Sequence, residues 1–291
     1  MKLFGIDVSR WQGDFSFERA LQEGVKYVII KAGGADGGLY RDPKFEENYK
    51  AAKAAGLGVG AYFFGMADTV DKAKQEAAYF AELLKGKQFD YPVFYDVEGA
   101  PQAAAGIATL SEVVRTFCAA MEDYGYWCGF YTNLDWYKHH LNGADLAERF
   151  SFWCAAWMSE CPCSDAQMWQ FGGSVNVIRD NTVAGVVCDQ DYCFVDYPTM
   201  IKQKGKNGYG KTPAPAPKPA PKPAPAVWTP KVGDKVRIEK DAPVYGYSAK
   251  FAYWVYRTVY VLMELDGNRA VFGTEAGVCV GAVDKKYLKK A

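Results

Sequence analysis

Apolar runs of strand length alternate with amphipathic segments of helical spacing through the first half of the chain. The runs with strand character are residues 3–8, 27–32, 58–64, 91–97 and 127–132. The segments with helical spacing are residues 15–23, 42–55, 70–85, 111–124 and 134–141. After residue 150 the pattern changes, and three further strands, residues 152–157, 166–171 and 186–194, follow with little helix between them. The order therefore predicts five strand–helix units and then three strands.

Eight strands with crossover helices between the early ones favour an α/β fold, a closed parallel barrel of TIM type with missing late helices, (β/α)5(β)3. An open doubly wound sheet is the alternative. It is disfavoured because no glycine-rich phosphate fingerprint follows the first strand, and the glycines of residues 33–38 predict a flexible loop instead.

Acidic residues stand at the predicted strand ends. Asp96 and Glu98 close the fourth strand, and residues two apart on a strand share one face. Two such carboxyl groups repel, so we expect Glu98 to be protonated and Asp96 ionised, as glycoside hydrolysis requires. In a barrel, Asp7 of the first strand and Asp189 of the eighth become neighbours. The sequence thus predicts four catalytic acids around one cleft.

Aromatic residues make up 15% of the chain, which is typical of a well-filled core or of a cleft that stacks sugar rings. Four aromatic residues end a predicted strand or lie near a strand end, and we expect them to contact substrate: Tyr62, Tyr131, Trp157 and Trp169.

Charge is distributed unevenly along the chain. Residues 1–200 contain 17 Lys or Arg and 27 Asp or Glu, whereas residues 201–291 contain 17 and 7. A basic end beside an acidic body suggests an anionic polymer as partner, and the other interpretation is a solvated basic face without a partner. Nucleic acid is the usual polymer of this kind, but no nucleic-acid-binding motif is present, so we expect no nucleic acid, and a bacterial wall with its anionic polymers fits as well.

Composition divides the chain into three parts: a domain of residues 1–200, a linker of residues 201–229 and a small domain of residues 230–291. The linker contains a predicted glycine hinge, residues 205–210, and a proline–alanine–lysine segment, residues 213–226, that favours extended polyproline structure. The last part predicts a small all-β module with strands at residues 234–238, 255–265, 269–272 and 278–280, and a turn at residues 266–268.

No signal peptide is visible after Met1, and no run of ~20 apolar residues would span a bilayer. We therefore expect synthesis in a cytoplasm and no membrane insertion.

Most of the eight cysteines should be small buried hydrophobes, with Cys188 and Cys193 as a pair to check for a disulfide. Cys161 and Cys163 with that pair have no zinc-finger spacing, so we expect no metal or cofactor.

Five sequence elements together resemble glycoside hydrolase family 25 over about residues 1–198: Gly5-Ile6-Asp7-Val8-Ser9, Trp11-Gln12-Gly13, Tyr95-Asp96-Val97-Glu98, Trp169-Gln170 and Asp189. The resemblance implies a barrel whose late strands lack helices. It also implies an N-acetylmuramidase that cleaves the β-1,4 bond after N-acetylmuramic acid in peptidoglycan.

Carried over residue by residue, the resemblance makes Glu98 the general acid. Asp96 becomes the carboxylate that supports the oxocarbenium-like state or positions the substrate acetamido group, and Asp7 and Asp189 complete the site. Asp191 stands where the resemblance implies Asn, so it ranks below Asp189. Net retention is expected, with the carboxylate or the sugar's own N-acetyl group as nucleophile.

The last part resembles bacterial Src-homology-3-like wall-binding domains, through Gly233-Asp234-Lys235-Val236 and a later Tyr, Trp and Gly pattern. The whole is similar to a phage endolysin that reaches peptidoglycan after its release from the host cytoplasm. The alternatives are another barrel glycosidase of chitinase type and a non-catalytic wall-binding protein.

Overall fold

The computed structural model describes residues 1–210 and 228–291, which form two compact units. The predicted polyproline segment, residues 213–226, lies outside the described residues.

The first unit is built from strands and helices that mostly follow the predicted order. Its strands are Leu3–Val8 (β1), Tyr27–Gly34 (β2), Tyr40–Arg41 (β3), Gly58–Phe64 (β4), Val93–Asp96 (β5), Cys128–Asn133 (β6), Ser151–Ala155 (β7), Met168–Gly172 (β8), Thr182–Val183 (β9), Val186–Val187 (β10) and Asp189–Cys193 (β11). Its helices are Phe17–Gln22 (α1), Phe45–Ala54 (α2), Val70–Leu84 (α3), Ala100–Ala103 (α4), Ile107–Asp123 (α5), Leu134–His139 (α6), Gly143–Arg149 (α7) and Tyr197–Gln203 (α8).

Eight strands close into a ring in the order β1-β2-β4-β5-β6-β7-β8-β11, with β11 pairing back onto β1. Helices follow the first five strands of the ring, and none lies between β7 and β8 or between β8 and β11. The predicted (β/α)5(β)3 barrel is therefore confirmed.

The predicted parallel order is wrong for the eighth strand. β11 runs antiparallel to both β1 and β8, whereas the other neighbours in the ring are parallel. A parallel strand needs a crossover that carries the chain back to the opposite end of the barrel. The chain between β8 and β11 instead forms the short β9–β10 hairpin, so β11 starts at the rim where β8 ends.

Four of the eight helices, α1, α3, α6 and α8, begin at a side-chain cap that the sequence provides. Ser16 accepts a hydrogen bond from the Arg19 N–H at α1, and Thr69 caps α3 in the same way through Lys72. The segment predicted as one strand, residues 186–194, is divided between β10 and β11. The short helices α4, α7 and α8 were not predicted, because a segment of four to seven residues is too short to show a helical period.

Strand alternation fills the barrel interior with aromatic side chains below its rim. Tyr27 stacks on Tyr91 with ring centroids 4.3 Å apart, and Phe94 packs on Trp153 at 5.2 Å. A side chain at Gly5 would place its Cβ 2.3 Å from the Tyr27 ring, so only glycine fits there. The opposite strand faces pack against the helices in a larger apolar core.

Residues 201–210, predicted to begin a linker with a flexible hinge, instead belong to the barrel unit. Asn207 is fully buried, accepts a hydrogen bond from the Trp127 N–H at 2.6 Å and donates to the Tyr91 carbonyl at 2.8 Å. Tyr209 donates to Asp90. This segment therefore covers the barrel end opposite the rim where the parallel strands finish.

The second unit is an antiparallel sheet of five strands in the order β15-β14-β13-β12-β16. The strands are Lys235–Ile238 (β12), Tyr260–Asp266 (β13), Arg269–Gly273 (β14), Cys279–Asp284 (β15) and Leu288–Lys290 (β16). Gly267, with φ +55°, forms the predicted turn between β13 and β14. The predicted strand of residues 255–265 begins later, because Tyr253–Arg257 is a 3-10 helix.

No helix in residues 1–210 or 228–291 is long and apolar enough to cross a membrane.

Replacing Asn207 with Ala should lower the free energy of unfolding by about 2–4 kcal/mol, because two backbone groups lose a buried partner and Ala disfavours the positive φ. Urea unfolding followed by tryptophan fluorescence measures this change. Lys204→Ala, an exposed position in the same segment, is the control. Equal changes in the free energy of unfolding for the two substitutions would show that the hydrogen bonds of Asn207 do not stabilise the barrel unit.

Candidate active site

The four predicted acids come together at one rim of the barrel. Asp7 lies at the end of β1, Asp96 is the last residue of β5, and Glu98 follows two residues later. Asp189 is the first residue of β11, but that strand runs in the opposite direction, so its start lies at the same rim. The β1–β11 register places Asp7 directly opposite Asp189.

Gln170 of β8 connects one half of this rim by hydrogen bonds. Its amide Nε2 donates to Asp7 Oδ2 at 2.9 Å, and its Oε1 accepts from the Tyr131 hydroxyl at 3.0 Å and from Trp157 Nε1 at 3.3 Å. Both ends of the amide are thus paired, and Gln170 is 4% exposed. The amide fixes the orientation of Asp7 and of the two aromatic side chains.

Three of the four predicted aromatic contacts lie at the cleft. Trp157 is 43% exposed and supplies an open ring face, and Tyr62 is partly exposed. Tyr131 is nearly buried, and burial is the first cause of its raised pKa, followed by the charges of Glu98, Asp96 and Asp7. The Tyr131 hydroxyl therefore stands among the acids.

Trp169 does not lie in the cleft, which corrects its prediction as a substrate contact. It is 2% exposed, packs against Phe171 and donates its Nε1–H to the Ala156 carbonyl at 2.7 Å. Neighbouring residues of a strand face opposite sides, so only one of Trp169 and Gln170 can face the interior. In β8 the side chain that faces the barrel interior is that of Gln170.

Glycine at position 173 allows the cleft to be narrow at Asp189. A Cβ built there would lie 2.0 Å from Asp189 Oδ1 and 2.9 Å from a ring carbon of Trp157. Any larger residue would displace the acid, the indole or both.

The structure changes the predicted charge distribution between Asp96 and Glu98. β5 ends at Asp96, so the two acids do not share one strand face. Asp96 is 5% exposed, and one of its oxygens, Oδ1, has no hydrogen-bond partner. Burial and then the Glu98 charge raise the pKa of Asp96 well above its ordinary value. Asp96 was expected to be the ionised acid of the pair. In the structure its ionised form is destabilised more than that of Glu98.

Glu98 is exposed to solvent in the open cleft, yet enough protein surrounds its carboxyl group to raise its pKa through burial. Lys31 of β2 opposes this effect at both carboxyl groups. The Lys31 ammonium lies 4.7 Å from the centre of the Phe64 ring. A single cation thus faces the pair and limits its repulsion.

Burial also raises the pKa values of Asp7 and Asp189. Burial and then the Glu98 charge raise the pKa of Asp189 to about 6. Burial, followed by the charges of Asp189 and Asp191, raises the pKa of Asp7 well above its ordinary value. The cleft can therefore hold protons near neutral pH, and it offers both acids and bases to a bound molecule.

A second group of polar residues supports Glu98 from behind. Glu76 of α3 is 4% exposed, accepts the Tyr95 hydroxyl at 2.7 Å and accepts the Met66 N–H at 3.1 Å. Gln102 donates to the Tyr95 oxygen at 3.3 Å and accepts the Gly99 N–H at 2.9 Å. This chain of hydrogen bonds fixes the turn that carries Glu98.

Lys31, Glu76 and Gln170 were not predicted as site residues. Alternation along β2 and β8 could have placed Lys31 and Gln170 inside the barrel. Glu76 has no such signal, because one acid on the face of an amphipathic helix looks like any partly solvated residue.

All eight cysteines are free, including Cys188 and Cys193, the predicted pair to check. Among residues 1–210 and 228–291, no group of three or more Cys, His, Asp or Glu could hold a metal ion.

The sequence model described as "Glycosyl hydrolases family 25" matches residues 6–179 of the chain. The chain belongs to this family. The match spans β1 through the loop before β9, and it includes Asp7, Asp96, Glu98 and Gln170, three of the four acids and the amide that orients one of them.

Two curated proteins that are similar to this chain are named lysozymes. The chain is 31% identical over 178 residues to an autolytic lysozyme of Clostridium acetobutylicum, covering 60% of this chain and 52% of that protein. It is 30% identical over 184 residues to Lysozyme M1 of Streptomyces globisporus, covering 57% and 60%. The aligned part thus spans between half and about three fifths of these relatives.

Solved structures share the fold. The CTP1L endolysin matches with a TM-score of 0.58 and 24% identity over 69% of this chain and 70% of that one. A bacterial lysozyme of Streptomyces coelicolor matches with a TM-score of 0.56 and 22% identity over 71% and 98%. The modular autolysin LytC of Streptococcus pneumoniae, solved with a synthetic peptidoglycan ligand, matches with 0.58 and 20% over 66% and 46%.

The buried carboxyl group of Glu76 should make stability depend on pH. Burial raises its pKa to about 7, so its contribution is fully present below about pH 4.5 and is lost as pH rises through 7. The difference in unfolding free energy between wild type and Glu76→Gln should therefore fall by on the order of 3 kcal/mol between pH 4.5 and 8.

Urea unfolding at several pH values measures this difference. Glu112→Gln, at an exposed position of α5, controls for the loss of one charge. A wild-type minus Glu76→Gln difference that stays constant with pH would show that Glu76 ionises as freely in the folded protein as in the unfolded chain.

Proposed function

We propose that the chain is an N-acetylmuramidase that hydrolyses the β-1,4 bond between N-acetylmuramic acid and N-acetylglucosamine in peptidoglycan. The observation that carries this proposal is the pairing of an accessible acid, Glu98, with a buried acid, Asp96, whose Oδ1 lacks a partner. Asp7 and Asp189 on the opposite side of the rim complete the site.

Glu98 is the general acid. Of the two acids at the end of β5, it is the one that a glycan in the cleft can reach, and burial raises its pKa toward the range in which it keeps its proton. It protonates the glycosidic oxygen as the bond to the anomeric carbon breaks, and the leaving sugar departs with the proton.

Asp96 acts below the sugar. An N-acetyl amide N–H that donates to the unpaired Oδ1 would favour the ionised carboxylate and so counteract the effect of burial. The carboxylate then orients the acetamido oxygen, which bonds to the anomeric carbon from the face opposite the leaving sugar, and it stabilises the positive charge that the acetamido group takes up. Glu98, now ionised, accepts a proton from a water that attacks the anomeric carbon from the other face and breaks the bond to the acetamido oxygen. The two displacements give net retention.

Trp157 and Tyr62 line the cleft as platforms for sugar rings, with Gln170 fixing the indole of Trp157. Asp7 and Asp189 accept hydrogen bonds from sugar hydroxyl groups. Lysozyme names among the relatives and the peptidoglycan ligand of LytC support a peptidoglycan substrate over chitin.

The second unit would hold the enzyme on the wall as an SH3-like domain. Residues 228–291 carry 11 Lys or Arg and 7 Asp or Glu, a positive balance that suits anionic wall polymers. A surface cavity of about 290 Å³ is lined by aromatic and charged residues, among them Tyr245, Tyr247 and Lys286. Together with the likeness of the barrel to an endolysin, this supports an endolysin role.

Glu98→Gln should lower the rate at which purified walls lose turbidity by about 10²–10⁴-fold, because the amide cannot donate the proton that the leaving oxygen needs. Its melting temperature should stay close to that of wild type, since the side chain is exposed. Mass spectrometry of the wild-type products should show new reducing ends at N-acetylmuramic acid.

Glu160→Gln, another exposed carboxylate beyond β7, is the control and should retain activity. Wild-type clearing by Glu98→Gln would remove Glu98 from the role of acid. Cleavage of chitin without cleavage of walls would favour the chitinase-type alternative, and the absence of both would favour a non-catalytic wall-binding protein.

Tyr247→Ala should reduce the fraction of protein that sediments with purified walls by about tenfold, because a 73% exposed ring at the cavity is lost. Hydrolysis of soluble glycan fragments should not change. Tyr253→Ala is the matched control, since Tyr253 is 63% exposed in the same unit but does not line the cavity. Equal losses in both variants would count against binding at this cavity.

A further inference from the structure

A fifth carboxyl group, that of Asp191, lies beneath the cleft and has no role in the proposed mechanism. Asp191 follows Asp189 by two residues on β11, so both side chains face the barrel interior. Asp191 is fully buried, whereas Asp189 is not. A buried carboxyl group that does not reach the substrate needs another explanation.

The hydrogen bonds of Asp191 leave one of its oxygens unpaired. Trp153 donates its Nε1–H to Asp191 Oδ1 at 2.8 Å. Asp191 Oδ2 is buried and finds no donor among the protein groups around it. An unpaired buried carboxylate oxygen is costly, so a proton is expected there.

Asp7 is the carboxyl group next to Asp191. The two carboxyl groups lie within hydrogen-bonding range of each other, and Gln170 donates to Asp7 Oδ2 at 2.9 Å. Two adjacent buried carboxylates would repel, whereas one proton between them provides the missing hydrogen bond and leaves a single negative charge.

No cation compensates this charge among the groups that act most strongly on Asp191, which are burial, Trp153, Asp189 and Asp7. From β5, Asp96 adds negative charge at Asp7. The other ionisable neighbours of the pair are neutral when protonated: the hydroxyl groups of Tyr27, Tyr62 and Tyr131 and the thiol groups of Cys188 and Cys193. Every charged neighbour thus favours retention of a proton by the pair.

We propose that Asp191 is a positioning residue: it shares one proton with Asp7 in a hydrogen bond between the two carboxyl groups, which fixes the orientation of Asp7 in the cleft. The proposal rests on the muramidase function, because Asp7 belongs to that site. When the proton is lost at higher pH, two charges face each other, Asp7 is displaced and activity falls. Asp191 touches no substrate and acts only through Asp7.

Asp191→Asn tests the proposal directly. The Asn carbonyl can still accept from Trp153, and its amide can donate to Asp7 at every pH. Wall clearing at acidic pH should stay within about threefold of wild type. The alkaline limb of the pH profile should move upward by at least about one pH unit.

Asp191→Leu, which provides no donor, should lose about tenfold or more at all pH values. If that variant does not fold, Asp191→Asn alone decides the outcome. Glu112→Gln, which removes an exposed carboxyl group of α5 outside the cleft, should leave the alkaline limb in place. An unmoved limb in Asp191→Asn, or an equal movement in Glu112→Gln, would overturn the proposal.

A second measurement separates the proposal from the muramidase function. In ¹³C NMR of aspartate-labelled protein, the Asp7 carboxyl resonance, assigned with Asp7→Asn, should show a titration step in wild type that is absent in Asp191→Asn. An unchanged Asp7 titration would overturn the shared proton even if walls are cleared. Failure of wild type to clear walls at any pH would instead overturn the function and leave this measurement valid.

Discussion

Closure of the barrel between β1 and β11 is the constraint on which the site depends. The pairing joins residues from the two ends of the barrel sequence and places Asp7 opposite Asp189. It also brings Asp191 beneath them. Closure removes Asp7 and Asp191 from water, while Asp189 stays partly exposed and Glu98 open, so each acid acquires a different cost of ionisation. The differences between the acids come from the depth at which the barrel places each one.

A small number of neutral hydrogen-bond donors stabilise the buried acids. Gln170 uses both ends of its amide, and Trp153 and Tyr95 each provide one donor to a buried carboxyl group. Neutral donors stabilise a carboxylate without adding a charge that would neutralise the cleft. Lys31 is the cation that opposes the raised pKa of both Asp96 and Glu98, and it limits their repulsion from one side.

The aromatic residues of the chain serve two structural purposes in the first unit. Tyr27, Tyr91 and Phe94 fill the interior below the acids, and glycines such as Gly5 make room for them. This packed floor excludes water from beneath the cleft, which strengthens each electrostatic interaction above it. Trp157 stands at the rim with an open ring face. High aromatic content alone therefore does not identify the residues that face a substrate.

Local signals predicted the order of the elements, the (β/α)5(β)3 barrel and the acids Asp7, Asp96, Glu98 and Asp189, because periodicity and acids at strand ends can be recognised within short segments. They could not determine the direction of β11, the burial of Trp169 or the packing of Asn207, since each depends on contacts between residues far apart in the chain. The ionisation of Asp96 was likewise decided by tertiary structure. Sequence spacing shows that two acids are close. Only the surrounding packing determines which carboxyl group is desolvated and therefore has the higher pKa.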